Sequence, residues 1–202
     1  MTTAAELIAA DNFAAARRAM IDSQLRTSGV TDPAVIAAMI TTPRETGLPA
    51  AARNNAYIDR AIALTDGSWL PAPLFHGQLL AEASLQPTDR VLVIGCGSGY
   101  LVALVQKLAA AVDACSPAKL ADFAAAPVGY DVILIEGAAE VLPDRVTALL
   151  AEGGRIVTGV AGHGVTRLAV GRKLAGRISL LPVADMGIPQ IAEFAQPNQW
   201  SF

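Results

Sequence analysis

The sequence has few of the residues that staple, charge or anchor a protein. Its two cysteines, Cys96 and Cys115, stand without a paired spacing, which argues against a disulfide framework or a cysteine-based zinc site and points to a reducing compartment. Charge of one sign is scarce as well: 15 Lys and Arg face 18 Asp and Glu, and the basic residues are scattered, so there is no electrostatic footprint for nucleic acid. No segment stays apolar long enough to span a membrane, and Glu6 and Asp11 interrupt the stretch where a secretory signal needs an unbroken apolar core. These absences predict a soluble, cytoplasmic protein with neither nucleic acid nor membrane as partner. Internal repeats are missing too, and the only compositional bias is alanine in the helical stretches. What the chain does have is apolar bulk: at 202 residues and 53% hydrophobic it can bury one core, with a small appendage.

Residues 1–80 read as helices and a lid segment packed on a main domain formed by 81–202. In the run from Asn12 to Leu25 the apolar residues Phe13, Ala16, Met20 and Ile21 recur at helical spacing, and Gly29 stops that helix. Asp32 is the expected N-cap of a second short helix, with Pro33 at its first position, where a missing N–H costs nothing. From Pro43 to Pro73 the punctuation by Pro and Gly predicts extended segments wrapping over something. From Asp89 the texture becomes short β-branched runs separated by Ala/Leu-rich stretches, the pattern of strands covered on both faces. The fold class is therefore α/β, with strands expected over 90–95, 110–115, 130–136 and 154–160 and a closing pair near 167–173 and 177–186. Helices are expected over 99–109, about 117–125, and 143–151.

The sharpest feature is the loop after the first of these strands, Gly95-Cys96-Gly97-Ser98-Gly99-Tyr100. Its spacing is G-x-G-x-G, whereas a pyrophosphate-binding loop needs G-x-G-x-x-G and would not carry Tyr100 at the last position. A nicotinamide oxidoreductase is accordingly disfavoured. Alternating glycines let a ligand touch the backbone, and a helix start behind them offers free N–H groups. A carboxylate or a sugar edge suits such a mouth, and S-adenosylmethionine presents both. Glu136 and Gly137, at the carboxyl end of their strand, stand where open α/β sheets contact ligands, although Glu136 could equally cap the following turn.

The combination of Gln24-Leu25, Pro43-Arg44-Glu45, Pro49, Ala56-Tyr57-x-Asp59, the glycine loop and Gly153-Gly154-Arg155 resembles the protein-L-isoaspartate O-methyltransferase family. The resemblance runs from about residue 14 to 160. It implies a doubly wound, mostly parallel sheet of the S-adenosylmethionine-dependent methyltransferase type with an N-terminal helical and lid extension. It also implies methyl transfer to the carboxylate of isoaspartyl residues in damaged proteins. The cofactor-binding set is then Gly95, Cys96, Gly97, Ser98, Gly99, Tyr100, Glu136 and Gly137.

Three departures from the family pattern touch chemistry. Where the resemblance implies a serine beside the reacting carboxylate, this chain has Pro71, whose side chain neither donates nor accepts. Where it implies an acid for the ribose hydroxyls, the chain has Ser116; Asp113, three residues earlier, points to the opposite face of its strand and reads as structural. Between Ser116 and the strand at 130 there is room for one short helix but not for a further strand that would wall the adenine. These losses favour an alternative, a catalytically inactive relative serving as a binding or interaction module.

The remaining candidates are weaker. His76 sits on a helix face with no partner acid in view and reads as structural, and His163 lies between glycines in a loop. Cys96 fits the glycine loop by its small size. Trp69 could wall a ligand or anchor the lid. Trp200 and Phe202 are expected to dock on the body or on a second subunit, which leaves a homo-oligomer open.

Overall fold

Gly29 turns the chain out of its first helix in the left-handed conformation, φ 86°, that glycine adopts without strain. In the computed structural model, which describes residues 4–95, 97–124 and 129–196, that helix is α1 (Ala4–Met20), continued by a wider turn over Ile21–Leu25 and a tight one over Arg26–Ser28. Asp32 caps α2 (Pro33–Thr41) as its sequence position predicts: its carboxylate accepts from the Ala34 and Val35 N–H groups at 2.7 and 3.1 Å. Two 3₁₀ turns, Arg44–Gly47 and Ala50–Asn55, lead to a small antiparallel pair, β1 (Ile62–Ala63) and β2 (Trp69–Leu70). The segment expected to be extended is thus mostly 3₁₀ turns.

The chain then runs α3 (Pro73–Ala83), β3 (Arg90–Ile94), α4 (Tyr100–Val105), β4 (Ala111–Cys115), β5 (Tyr130–Ala139), α5 (Asp144–Leu149), β6 (Leu150–Gly162), β7 (Val165–Leu174) and β8 (Arg177–Asp185). The strands form one sheet in the order β4-β3-β5-β6-β7-β8. The first four are parallel and the last two are added antiparallel as hairpins. Alternation along β5 divides the core between the two faces. Val132 and Leu134 pack with α3, α4 and the N-terminal helices, while Ile133 and Ile135 pack with α5, Leu120 and Phe194. The first face contains Met20, Leu25, Met39 and Leu70 together with Val91 and Leu101, so the N-terminal extension shares its core with the sheet.

The N-terminal residues that carry the family resemblance are the tethers of this extension. Gln24 donates to the Tyr57 carbonyl at 2.9 Å, Arg17 bridges Glu45 and the Tyr57 hydroxyl, and Tyr57 donates to Glu45. Asp59 accepts from the Leu74 N–H at the start of α3. Arg155 does the same work at the other end of α3, donating to the Ala83 and Ser84 carbonyls and pairing with Asp89.

Some boundaries differ from expectation. The helix expected over about 117–125 is a single 3₁₀ turn, Pro117–Lys119, followed by the buried Leu120, and its last position, 125, lies outside the described residues. The helix expected over 143–151 ends at Leu149, and β6 begins at once with Leu150. Among the described residues no further strand pairs beyond β4, which forms the sheet edge, and Ala111, Asp113 and Ala114 are exposed. Asp113 accepts from the Tyr130 hydroxyl at 2.7 Å, the structural role read for it from the strand alternation. Trp200 and Phe202 lie outside the described residues. Among the described residues no helix is long and apolar enough to cross a membrane.

Candidate functional site

The carboxyl ends of β3, β4 and β5 open into a cleft of about 470 Å³, within the size range of small-molecule sites. Gly95 and Gly97 form its floor, Ser116 lies at the β4 side and Glu136 at the β5 side. The turn between β1 and β2, with Asp66 and Trp69, makes one wall, and the segment from Pro189 to Glu193 makes the other. That second wall is stitched to β5: the Ala138 N–H donates to the Pro189 carbonyl at 2.8 Å, and the Ile191 N–H donates to the Ala138 carbonyl at 2.9 Å.

A carboxylate faces each of the two floor glycines. A Cβ on Gly95 would sit 2.7 Å from Glu136 Oε2, and one on Gly97 would overlap Asp66 Oδ2. The turn at Arg44–Gly47 also packs closely on the glycine loop, since a Cβ on Gly47 would lie 2.5 Å from the Ser98 carbonyl oxygen. Gly99 makes the turn into α4 at φ 68°.

Glu136 owes its place to an irregularity in β5. Between Leu134 and Ala138 the register with β6 slips, a bulge of the kind that re-aims a side chain at the end of a strand. Its Oε1 lies 2.6 Å from Nε2 of His76, and both residues are buried. Behind the ring stands Arg44, also buried, with Nη1 3.2 Å from His76 Nδ1. A guanidinium can only donate, so Nδ1 accepts and the ring proton sits on Nε2, which donates to the Glu136 carboxylate. Burial holds the His76 pKa below its ordinary value, against the opposing pull of Glu136, and keeps the ring neutral. The Ala72 carbonyl, 3.1 Å from Nδ1, would compete only for a protonated ring. Arg44 also donates to the carbonyls of Ala56 and Pro71 and stacks on the Tyr100 ring at 5.1 Å. Tyr100 in turn meets His76 edge to face at 5.2 Å.

The eight residues expected to hold a cofactor therefore separate. Gly95, Gly97 and Glu136 line the cleft. Ser98 faces its own loop, accepting from the Tyr100 N–H, and Gly99 supplies the turn. Tyr100 is buried beneath the floor rather than in it, because its ring fills the space beside Arg44 and His76. Gly137 is needed for packing: a Cβ there would strike Ile191 at 2.6 Å. Cys96 lies outside the described residues. His76, expected to have no acid near it, has Glu136, and His163 sits in the β6–β7 turn and does not line the cleft. Asp66 and Glu193 also line the cleft and were not anticipated. Asp66 was legible in part, as the first residue of an Asp-Gly-Ser turn, whereas nothing local marks Glu193.

The cleft fits the cofactor that the glycine loop suggests. Its floor offers backbone to a ligand, and its carboxylates are acceptors for sugar hydroxyls and partners for a positively charged sulfur. Among the described residues no cluster of His, Cys, Asp or Glu could hold a metal ion.

Comparison with known proteins agrees with this geometry. Residues 15–115 match the family model described as protein-L-isoaspartate(D-aspartate) O-methyltransferase. A protein-L-isoaspartate O-methyltransferase of Koribacter versatilis is 34% identical over 197 residues, covering 86% of this chain and 89% of the relative. Protein-L-isoaspartate O-methyltransferase 1 of Rhodopseudomonas palustris is 32% identical, with 91% and 82% covered. Among solved structures, the enzyme of this class from Plasmodium falciparum, in complex with S-adenosyl-L-homocysteine, superposes with a TM-score of 0.69 at 19% identity, covering 88% of this chain and 98% of that one. At that identity the superposition speaks for the fold, and it is the doubly wound fold of S-adenosylmethionine-dependent methyltransferases. The chain belongs to the protein-L-isoaspartate(D-aspartate) O-methyltransferase family.

Proposed function

We propose that this protein binds S-adenosylmethionine in the cleft at the ends of β3, β4 and β5 and transfers its methyl group to the carboxylate of an isoaspartyl residue in a damaged protein. The observation that carries this reading is the glycine-floored cleft, placed at the carboxyl ends of parallel strands in a chain of this family. The relatives named above carry that activity in their names. The cytoplasm is the proposed setting.

Bound S-adenosylmethionine would supply an electrophilic methyl group on a cationic sulfur. Gly95 and Gly97 would let the nucleoside reach the backbone, Ser116 would face the ribose, and Glu136 would stand on the far side of the floor. Trp69 and the segment 189–193 would keep water from the acceptor. A carboxylate acceptor is already ionised at neutral pH, so the chain needs no general base, and its task is to align the two reactants.

A second reading is favoured by Pro71. Its ring replaces the hydroxyl expected beside the reacting carboxylate, and its carbonyl is taken by Arg44. The chain could then hold the nucleoside without turning it over and act as a binding module. Incubation with methyl-labelled S-adenosylmethionine and a peptide containing isoaspartate, with the aspartyl peptide as control, separates the two. Base-labile label on the isoaspartyl peptide alone is expected, and binding of the nucleoside with no label on either peptide supports the second reading.

A further inference from the structure

The cleft has a neighbour on the far side of Gly97. A second hollow of about 350 Å³, bordered by Gly47, Pro49 and Leu64, shares Asp66 and Gly97 with the cleft. What divides the two is the tip of the turn between β1 and β2. A Cβ on Gly97 would overlap Asp66 Oδ2, so that oxygen covers one face of the floor glycine. A ligand that reaches the backbone from that face must displace the chain's own carboxylate.

The base of this turn is fixed and its tip is exposed. Ile62 and Leu70, paired across the two-residue ladder, are buried, whereas Thr65, Asp66 and Gly67 stand in solvent. The Leu64 N–H donates to the Ser68 carbonyl at 2.8 Å, and the Gly67 N–H donates to the Leu64 carbonyl at 3.2 Å. The Asp66 carboxylate accepts from the Ser68 N–H at 3.0 Å and from its hydroxyl at 2.6 Å. All these bonds lie within the turn, so the tip can lift as a unit without breaking them. A two-stranded ladder this short is marginally stable, and such exposed elements open at small cost.

We propose that the turn is a gate: Asp66 closes over Gly97 in the ligand-free protein, and the tip lifts to let a nucleoside lie across the glycine floor, joining the two hollows. The proposal rests on the reading of the cleft as an S-adenosylmethionine site. Apparent affinity is the intrinsic affinity scaled by the open fraction, so a gate closed about nine-tenths of the time weakens binding about tenfold. Removal of the Asp66 side chain takes away the contact that closes the gate. It therefore strengthens binding, the opposite of removing a residue that holds the ligand.

Calorimetric titration with S-adenosylhomocysteine, paired with stopped-flow fluorescence of Trp69 in a Trp200→Phe background, tests this on the wild type and on Asp66→Ala. Asp66→Ala should bind about three- to tenfold more tightly, through faster association, because its open fraction is larger. Ser68→Ala, which removes the hydroxyl that holds the carboxylate, should shift both in the same direction by less, and it decides the matter if thermal melts show Asp66→Ala unfolded. Weaker or unchanged binding in the folded variants, or a gain that comes from slower release alone, overturns the gate and leaves the site reading standing. No binding to the wild type or to either variant at millimolar ligand removes both.

Discussion

His76 and Glu136, sixty positions apart, meet through a 2.6 Å contact between Nε2 and Oε1 that joins α3 to the end of β5 at the cleft. The contact ties the order of the N-terminal segment to the shape of the site, and it makes stability depend on pH in a defined direction. Burial lowers the His76 pKa in the folded state relative to the value near 6.5 of an unfolded chain. The unfolded state then binds more protons below that value, so stability falls as pH drops below about 6.5, by up to about 1.4 kcal/mol per pH unit. Urea unfolding at pH 7.5 and 5.5 should show the loss, and His76→Gln should reduce it. An equal loss in the variant would place its origin elsewhere.

Arg44 is the other end of the same chain of contacts. Arg44→Ala leaves three acceptors without their buried donor and Glu136 without a balancing charge, and removal of one partner from such a network costs about 3–5 kcal/mol. The midpoint of urea unfolding should move accordingly. A change near zero would mean that water replaces the guanidinium at no cost.

All three tyrosines are held protonated beyond their ordinary range. Burial and the bond to Glu45 push Tyr57 up to about 12; burial raises Tyr100, and burial together with the bond to Asp113 raises Tyr130. The native protein should therefore show no tyrosinate absorbance through pH 10, where tyrosines of the unfolded chain are half ionised. A native transition near pH 10 would contradict the burial of these rings.

Gly97→Val should abolish nucleoside binding while leaving the far-ultraviolet circular dichroism unchanged. The added side chain meets Asp66 at the cleft mouth, not the core. Retained binding would mean that the ligand does not use this floor.

Much of the architecture was readable because it rests on local signals. The Asp32-Pro33 cap, the stop at Gly29 and the apolar runs of β3 and β5 each depend on neighbours in sequence. The helix expected over about 117–125 is a turn over Pro117–Lys119 although α4 and α5 are helices of only six residues, so length alone does not decide it. At the site, the glycine spacing located the floor, but it could not tell residues that face a ligand from those that build the turn. Ser98, Gly99 and Tyr100 belong to the turn, and Gly137 belongs to the packing beneath Ile191. The pairing of His76 with Glu136 depends on the sheet bringing together two distant segments and on a bulge at 135–137, neither of which has a local signature.

The site itself is best tested by amide proton–nitrogen spectra recorded during titration with S-adenosylhomocysteine. Gly95 and Gly97 resonances should move in a saturable way, while Gly164 and Gly176, in the β6–β7 and β7–β8 turns, stay still. Shifts confined to those hairpins, or none at all at millimolar ligand, would be incompatible with a nucleoside site on the floor of this cleft.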